Sequence, residues 1–471
     1  RSVEHVVRGD GEEFQVTVGG DYQPLMRAIT FEHAAEGQPR ATLLPRWRAN
    51  DNVVPFSFQS LAETLAPGAK DDAQKAFEVF RYALQSTNYY DAGYCETLPT
   101  RHRERVSYTL LKHLNMYAFD QCGPLNFTMR KLLLAAGISS NDAPGTHHQF
   151  EQVFYDGSLR LLDLSPRMYW LNWDNKTRLS LRGLEENPYL KVRQGGDANA
   201  WLPGRRSQAS FGTAERPHSM DFNLRPGERA SVSWHNEGRW FELTGKREPI
   251  RLEKIPPYYG NGALLCDLTV EGGACDRTNL SVARTPEGPA FSLARADAPG
   301  VLIYKAQCPY IFSDGKLTGQ YSAASAGEIT VSVSFDEGKS WQQLWSNPGA
   351  TAALSVDLRD QIMARYVYWL KLELGAGSKA RVLSPQVRSV FVVSPLSLPG
   401  KLRLGDNRIR FVAGPVTSPI KTSCQWTERY LTDLGISLKA LSYYHNSGEA
   451  LRNLFIVRPG ETFPVKVALL G

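Results

Sequence analysis

Two neighbouring stretches decide the fold of this chain: residues 120–138 read DQCGPLNFTMRKLLLAAGI, and residues 146–165 read THHQFEQVFYDGSLRLLDLS. In the first stretch, apolar side chains recur at helical spacing from Leu125 to Ala136, which predicts an amphipathic helix. Pro124 suits the first turn of that helix, and Gly137 suits its end. We therefore expect Cys122 to lie at or just before the start of a buried helix.

That position favours reactive chemistry at the sulfur of Cys122. Backbone N–H groups and the positive end of the helix dipole stabilise a thiolate over a thiol. A cysteine normally has a pKa near ~8.5, and a helix start together with a protonated histidine lowers it to roughly 3.5–7.5. Cys122 is thus a candidate nucleophile. The N–H groups at the helix start can also hold an oxyanion, with Gln121 as the candidate second donor.

The second stretch predicts a strand, a two-residue turn and a second strand. Asp156–Gly157 is a favoured pair for such a turn, and with this turn the numbers of cross-strand partners sum to 313. Side chains two apart share a face of a strand, so His148 and Asp163 project from one face as diagonal neighbours about 7–8 Å apart. His147 points to the opposite face, and this parity favours His148 as the partner of Asp163.

A cysteine that opens a helix, a histidine at the start of a strand, and an aspartate on the partner strand together resemble the transglutaminase-like superfamily. That superfamily has a papain-like cysteine hydrolase core and includes protein crosslinkers, cysteine peptidases and amidases, and peptide:N-glycanases. The resemblance covers about residues 70–175. It implies Cys122 as nucleophile, His148 as base and Asp163 as the orienting carboxylate, with no cofactor.

Hydrophobic periodicity predicts an α+β protein in which a helical core is followed by β-sandwich domains, and the resemblance implies that this core is transglutaminase-like. Helical spacing is clearest in KDDAQKAFEVFRYAL and VSYTLLKHLNMYAF, and it fades after about residue 180. The predicted segments are a β-rich N-terminal segment (1–60), the catalytic core (61–180), a loop-heavy β-rich layer (181–290), a β-sandwich (291–393), and a linker with a C-terminal β-rich module (394–471). A short helix is also expected near residues 428–434.

Aromatic residues supply two further signals. SVSFDEGKSW contains Ser334, Asp336 and Trp341 and resembles the Asp-box turn of sialidases, where the motif is structural and not catalytic. Trp234 and Trp240 lie in a Gly- and aromatic-rich region and are candidate platforms for a sugar ring. Packing of turns is the alternative interpretation of both tryptophans, and it is the more common one.

Composition limits the classes of partner. The chain has 471 residues and a formal net charge of +6 with no basic block, so nucleic-acid binding is not expected. No apolar stretch reaches the length of a membrane span. The six cysteines show no zinc spacing, so no metal site is expected, and Cys266 and Cys275 flank a Gly-rich turn across which a disulfide is conceivable. The chain opens with RSVEHVVRGD rather than Met, which is compatible with a trimmed leader and export to the periplasm, the cell surface or the medium.

The sequence thus predicts a cysteine-dependent hydrolase of peptide, glycopeptide or cell-wall amides that works through a thioester. Two alternatives stay open. One is a glycan-binding or structural surface protein with an inactive transglutaminase-like core. The other is a carbohydrate-active enzyme that uses the same cleft. The sequence does not indicate an oligomeric state.

Overall fold

The computed structural model describes residues 1–8, 11–33, 46–50, 52, 57–89, 110–116, 119–120, 122–144, 149–165, 167–193, 220–234, 261–363, 365–394, 397–412 and 419–430. β-strands are the most common element among these residues, and the helices are concentrated between residues 57 and 193. The helices are α1 (Phe58–Leu65), α2 (Asp72–Ser86), α3 (Leu110–Met116), α4 (Cys122–Ala135), α5 (Leu181–Glu186), α6 (Tyr189–Val192) and α7 (Arg359–Ile362).

Helix α2 forms where the apolar spacing predicted it. Asp71 is its N-cap, and Oδ1 of Asp71 accepts the backbone N–H of Gln74 at 2.7 Å, which satisfies a donor that the helix start leaves over. Ala76 and Phe80 are fully buried on its inner face. They pack with side chains of α4 in a core that belongs to the helical part of the chain.

The first nine strands lie in the N-terminal region and in the helical part of the chain. Strands β7, β8 and β9 form an antiparallel sheet in that order, whereas β5 and β6 form a two-residue parallel pair. The bounds are β1 (Ser2–Val7), β2 (Gly11–Val18), β3 (Tyr22–His33), β4 (Arg46–Ala49), β5 (Asn88–Tyr89), β6 (Phe119–Asp120), β7 (Ser140–Pro144), β8 (Gln149–Tyr155) and β9 (Ser158–Leu162).

The remaining strands follow the helical part. They are β10 (Glu228–Ser233), β11 (Gly262–Asp267), β12 (Cys275–Thr278), β13 (Leu280–Thr285), β14 (Gly288–Leu293), β15 (Gly300–Gln307), β16 (Phe312–Ser322), β17 (Ile329–Ser334), β18 (Gln342–Ser346), β19 (Thr351–Asp357), β20 (Val367–Leu374), β21 (Arg381–Phe391), β22 (Gly405–Val412) and β23 (Ile420–Arg429). Most of them belong to a β-sandwich, as the turn-punctuated sequence predicted.

One layer of the sandwich is part of a ten-stranded sheet with the order β1-β23-β3-β10-β11-β21-β14-β13, in which β16 also pairs with β21 and β19. The other layer is a five-stranded sheet with the order β12-β15-β20-β17-β18. Inner side chains of both layers share one large core; for example, the rings of Phe312 and Tyr368 meet edge to face, with centroids 5.5 Å apart.

The last described strands, β22 and β23, pair with strands of the N-terminal region, and most of the predicted 394–471 unit lies outside the described residues. Strand β23 lies between β1 and β3, and β22 lies between β2 and β4. Glu428 therefore belongs to a strand and not to the helix expected near residues 428–434, since alternate side chains of β23 are buried between two partner strands.

Two of the predicted boundaries fall inside observed elements. Position 60/61 falls inside α1, and position 290/291 falls inside β14. In the predicted linker, Ser394, Ser397 and Leu398 are buried, and the N–H of Ser394 donates to the backbone oxygen of Asn115 at 2.7 Å. This segment is therefore packed against α3 rather than exposed.

Within the described ranges, no helix is long and apolar enough to cross a membrane. Nor does that part of the chain bring together three or more His, Cys, Asp or Glu side chains that could hold a metal ion. Cys266 and Cys275 are not joined by a disulfide. Burial of the Cys266 thiol raises its pKa, and its hydrogen bond with the Cys275 thiol raises it further.

Candidate active site

Helix α4 starts at Cys122, as the sequence predicted. The four apolar side chains of the stripe from Leu125 to Leu133 are fully buried in the helical core, and Ala136 packs against that core half-buried. The helix ends just before Gly137, whose φ is +79°. The N–H of Ile138 donates to the oxygen of Leu133 at 2.9 Å, the closing bond of a Schellman motif. Cys122 is half-buried at the positive end of this helix dipole.

The hairpin of β8 and β9 has the predicted register. The five described pairs run from Glu151 opposite Leu162 to Tyr155 opposite Ser158, so each pair sums to 313. The turn residues Asp156 and Gly157 have φ values of +51° and +66°, the left-handed conformation that a type I′ turn requires. The register prediction is therefore confirmed over residues 151–162.

Asp163 follows this hairpin and is fully buried. Its backbone forms an isolated antiparallel bridge with Met168, and one side-chain oxygen, Oδ1, accepts the N–H of Ser165 at 3.0 Å. A carboxylate held by the local backbone in this way has a fixed orientation, which is what an aspartate that orients a histidine needs.

Asn126 joins the segments that carry the predicted catalytic residues. Its side-chain nitrogen donates to the backbone oxygen of Cys122 at 2.9 Å and to that of Gln149 at 2.8 Å. Its side-chain oxygen accepts the N–H of Leu164 at 3.3 Å. Cys122, the residue after His148 and the residue after Asp163 are thus bonded to one buried carboxamide. The sequence analysis did not identify this role of Asn126, although a polar residue next to a buried helical stripe is a usable signal.

A buried ion pair holds β8 against α4. The guanidinium of Arg130 donates to both carboxylate oxygens of Glu151, at 2.7 and 3.1 Å, and Ser140 on β7 also donates to Glu151. Burial raises the pKa of Glu151 to about 7, although the bonds from Arg130 and Ser140 act in the opposite direction. The sequence analysis missed this pair because its two members are 21 residues apart.

Two contacts fix the chain just before Cys122. Strand β6 pairs in parallel with β5, so Asp120 lies opposite Tyr89. At the end of α3, the sulfur of Met116 accepts the backbone N–H of Ile311 at 3.2 Å. The sandwich therefore contacts the helical part directly, six residues before the candidate nucleophile.

Several predicted site residues lie outside the described residues: His148, its neighbour His147, Gln121 and Trp240. Their roles stay predictions. Trp234 is described; it is half-buried, packs against the large core, and donates its backbone N–H to the oxygen of Arg27 at 3.3 Å. It thus makes the packing contacts of the alternative interpretation.

The predicted Asp-box hairpin is present as β17 and β18. Asp336 Oδ1 accepts the N–H of Ser340 at 2.9 Å and the hydroxyl of Ser334 at 2.8 Å. The hydrogen bonds from Ser340 and Ser334 lower the pKa of Asp336 to about 2. Gly338 has a φ of +82°, and a Cβ there would lie 3.3 Å from the ring of Trp341. These contacts stabilise the turn, so the motif has a structural role.

The outer face of the five-stranded sheet carries half-buried tryptophans beside lysines. On β20, Trp369 lies opposite Lys305 of β15, and the Lys305 ammonium is 5.3 Å from the centroid of its ring. Two residues further along, the Lys371 ammonium is 5.2 Å from the ring of Trp341. We call this the Trp369 face. It combines aromatic surface with hydrogen-bond donors.

No protein-family model matches the sequence, and no curated protein does. Among solved structures, the chain resembles the C-terminal family 6 carbohydrate-binding module of LamC, a marine laminarinase from Zobellia galactanivorans, at 10% identity, over 27% of this chain and 98% of that one, with a TM-score of 0.20. It also resembles a family 29 carbohydrate-binding module (12% identity, 29% and 99% coverage, TM-score 0.21). A third is TmCBM61 in complex with β-1,4-galactotriose (9% identity, 24% and 86% coverage, TM-score 0.19). These structural neighbours are carbohydrate-binding modules, at similarities too low to assign a ligand to this chain.

Proposed function

We propose that residues 57–193 form a transglutaminase-like core that acts as a cysteine-dependent amide hydrolase. The observation that supports this most strongly is the set of three bonds made by Asn126, which tie the helix start at Cys122 to the two backbone segments next to His148 and Asp163. A thiol at a helix start, bonded through one side chain to the residues that follow the predicted base and the predicted orienting carboxylate, supports a proposal of thiol-based acyl transfer.

In this mechanism His148 takes the proton of the Cys122 thiol, and Asp163 fixes the tautomer of the imidazole. The thiolate attacks the carbonyl carbon of an amide. The resulting oxyanion is held by the backbone N–H of Cys122, with Gln121 as the candidate second donor. The amine leaves with the proton returned by His148, and a thioester remains. Water then attacks the thioester, releases the acid and restores the thiol.

Alkylation of Cys122 tests this proposal. We expect iodoacetamide at pH 6.5 to modify Cys122 at least ten times faster than Cys275, because a thiolate and not a thiol is the nucleophile. Cys275 is a suitable internal control because it is also half-buried. Mass spectrometry of the tryptic peptides measures both rates in one sample. Equal rates for the two thiols would contradict the proposed hydrolase.

We also propose, as a second function, that the Trp369 face binds a neutral or acidic glycan. Pyranose rings present apolar faces that stack on tryptophan, and their hydroxyl groups accept hydrogen bonds from ammonium groups such as those of Lys305 and Lys371. Binding requires the flexible lysine side chains to leave the ring faces, at a cost of about 0.5–1 kcal/mol each. Both proposed functions suit a protein exported to the cell surface or the medium.

Affinity electrophoresis in gels that contain soluble β-glucan, β-galactan or a polyuronate tests the second function. We expect at least one polysaccharide to retard the protein, and we expect Trp369→Ala to weaken that retardation about tenfold through loss of the stacking surface. Trp173→Ala is the matched control, because Trp173 is 61% exposed and lies outside the sandwich. Equal retardation of both variants, or no retardation by any of the three, would rule out this face as the glycan site.

A further inference from the structure

We infer that Asn126 is the positioning residue of the proposed active site; this inference rests on the proposed hydrolase function. The side chain is 2% exposed and lies one turn after Cys122 on α4. A sugar attached to it would have no room, so the Asn-Phe-Thr sequence at 126–128 is not a glycosylation site in the folded protein. The contacts of the Asn126 carboxamide indicate a different role.

Each of its three bonds fixes one peptide plane. The bond to the oxygen of Cys122 fixes the plane between Cys122 and Gly123, at the start of the helix. The bond to the oxygen of Gln149 fixes the plane that follows the residue next to His148. The bond from the N–H of Leu164 fixes the plane between Asp163 and Leu164. One side chain thereby sets the separation of the three segments that carry the predicted triad.

The chemistry of these contacts is specific to a carboxamide. Both N–H protons are donated to carbonyl oxygens, and the amide oxygen accepts an N–H, so donor and acceptor groups are all used. An aspartate keeps the shape and the acceptor but cannot donate to the two carbonyls when it is ionised. A leucine keeps the approximate volume but leaves three backbone groups without this partner.

Positioning of this kind matters because a displacement of about 1 Å from productive geometry can reduce a catalytic rate about 10²-fold. The reactive state of Cys122 depends on its distance from a protonated imidazole. Loosening the link between the helix start and the strand ends should therefore return the sulfur to the behaviour of an ordinary thiol, even where the overall fold is retained.

The test is the pH profile of Cys122 alkylation by iodoacetamide in the full chain. We expect the unaltered protein to react at pH 6.5 as a thiolate, and we expect Asn126→Asp and Asn126→Leu to react at least tenfold more slowly there. Both variants should show a midpoint moved toward that of an ordinary thiol, about 8.5. Leu132→Ala is the control: Leu132 is fully buried on the same helix, and its truncation should lower the melting temperature while leaving the pH profile in place.

The possible failures are distinguishable. An ordinary thiol profile in the unaltered protein would overturn the hydrolase proposal and the role of Asn126 together. A low-pH profile in the unaltered protein that persists in both Asn126 variants would overturn only the role of Asn126, and a lowered melting temperature in those variants would then show that its bonds are purely structural. A profile that moves in Leu132→Ala as much as in the Asn126 variants would also count against specific positioning.

Discussion

We expect His148→Ala to slow any amide hydrolysis by roughly 10²- to 10⁴-fold, the usual contribution of a general acid–base group, whereas His147→Ala should stay within about twofold of the unaltered protein. The reason is strand parity. The described register of β8 and β9 continues to Glu151 opposite Leu162. Extended to residue 148, which lies outside the described residues, two-residue alternation predicts that this histidine shares a face with Phe150 and Asp163. Alkylation of Cys122 at pH 6.5 should rank the two variants in the same order, with a smaller loss for His148→Ala.

The comparison of the two histidine variants is decisive because the two faces of the hairpin pack against different cores, and each histidine is predicted to lie on a different face. Val153 and Tyr155 pack into the core around α4, and the same alternation predicts that residue 147 would share their face. Phe150 instead packs with Leu161 and Trp170 in a separate small core. A large loss in His147→Ala and not in His148→Ala would show that the strand alternation is interrupted before Gln149. No loss in either variant would remove the basis for a catalytic triad.

Arg225→Leu should destabilise the sandwich by about 3–5 kcal/mol, because it leaves a buried carboxylate without its counter-charge. The guanidinium of Arg225 contacts both oxygens of Glu228, at 2.6 and 3.0 Å, and the Glu228 side chain is 1% exposed. The hydroxyl of Tyr304 also donates to this carboxylate, at 3.1 Å. One neutral hydroxyl cannot replace the charge of the guanidinium, so the carboxylate would remain poorly compensated. Urea unfolding followed by tryptophan fluorescence measures the loss.

Two further variants make this result interpretable. Arg182→Leu removes an arginine that pairs with Glu186 one helical turn away, with side chains 85% and 57% exposed, and it should leave the unfolding midpoint nearly unchanged because solvent screens this pair. The double variant Arg225→Leu/Glu228→Leu should regain much of the loss, since apolar replacement of a whole buried pair is often near neutral. Equal midpoints for Arg225→Leu and Arg182→Leu would mean that Glu228 is not held as a buried anion.

Local features were predictable from the sequence. The start and end of α4 follow from Pro124 and Gly137, and the register of the β8–β9 hairpin follows from Asp156–Gly157, because each depends on conformations that neighbouring residues impose. The polar clasp of the Asp-box hairpin is local in the same sense. In these places the chain needs only a few consecutive residues to determine its geometry.

Long-range features were not predictable. The insertion of β23 between β1 and β3 joins strands about 400 residues apart, and local periodicity carries no information on which strands pair. The same holds for the burial of Ser394 and Ser397 against α3, where polar and proline-rich sequence suggested an exposed linker. In the candidate site, Asn126 escaped notice because its partners, Gln149 and Leu164, are distant in sequence and are contacted through their backbone.

The placement of β22 and β23 among the first strands has a consequence for how the protein is made. The N-terminal strands β1 and β3 are neighbours only through β23, and β2 and β4 only through β22. During synthesis, edges of these early strands stay unpaired until residue 429 has been made, which leaves them open to pairing with other chains. Once formed, the same arrangement ties both ends of the described chain into one sheet, so a single protease cut in the middle of the chain would leave its two fragments associated.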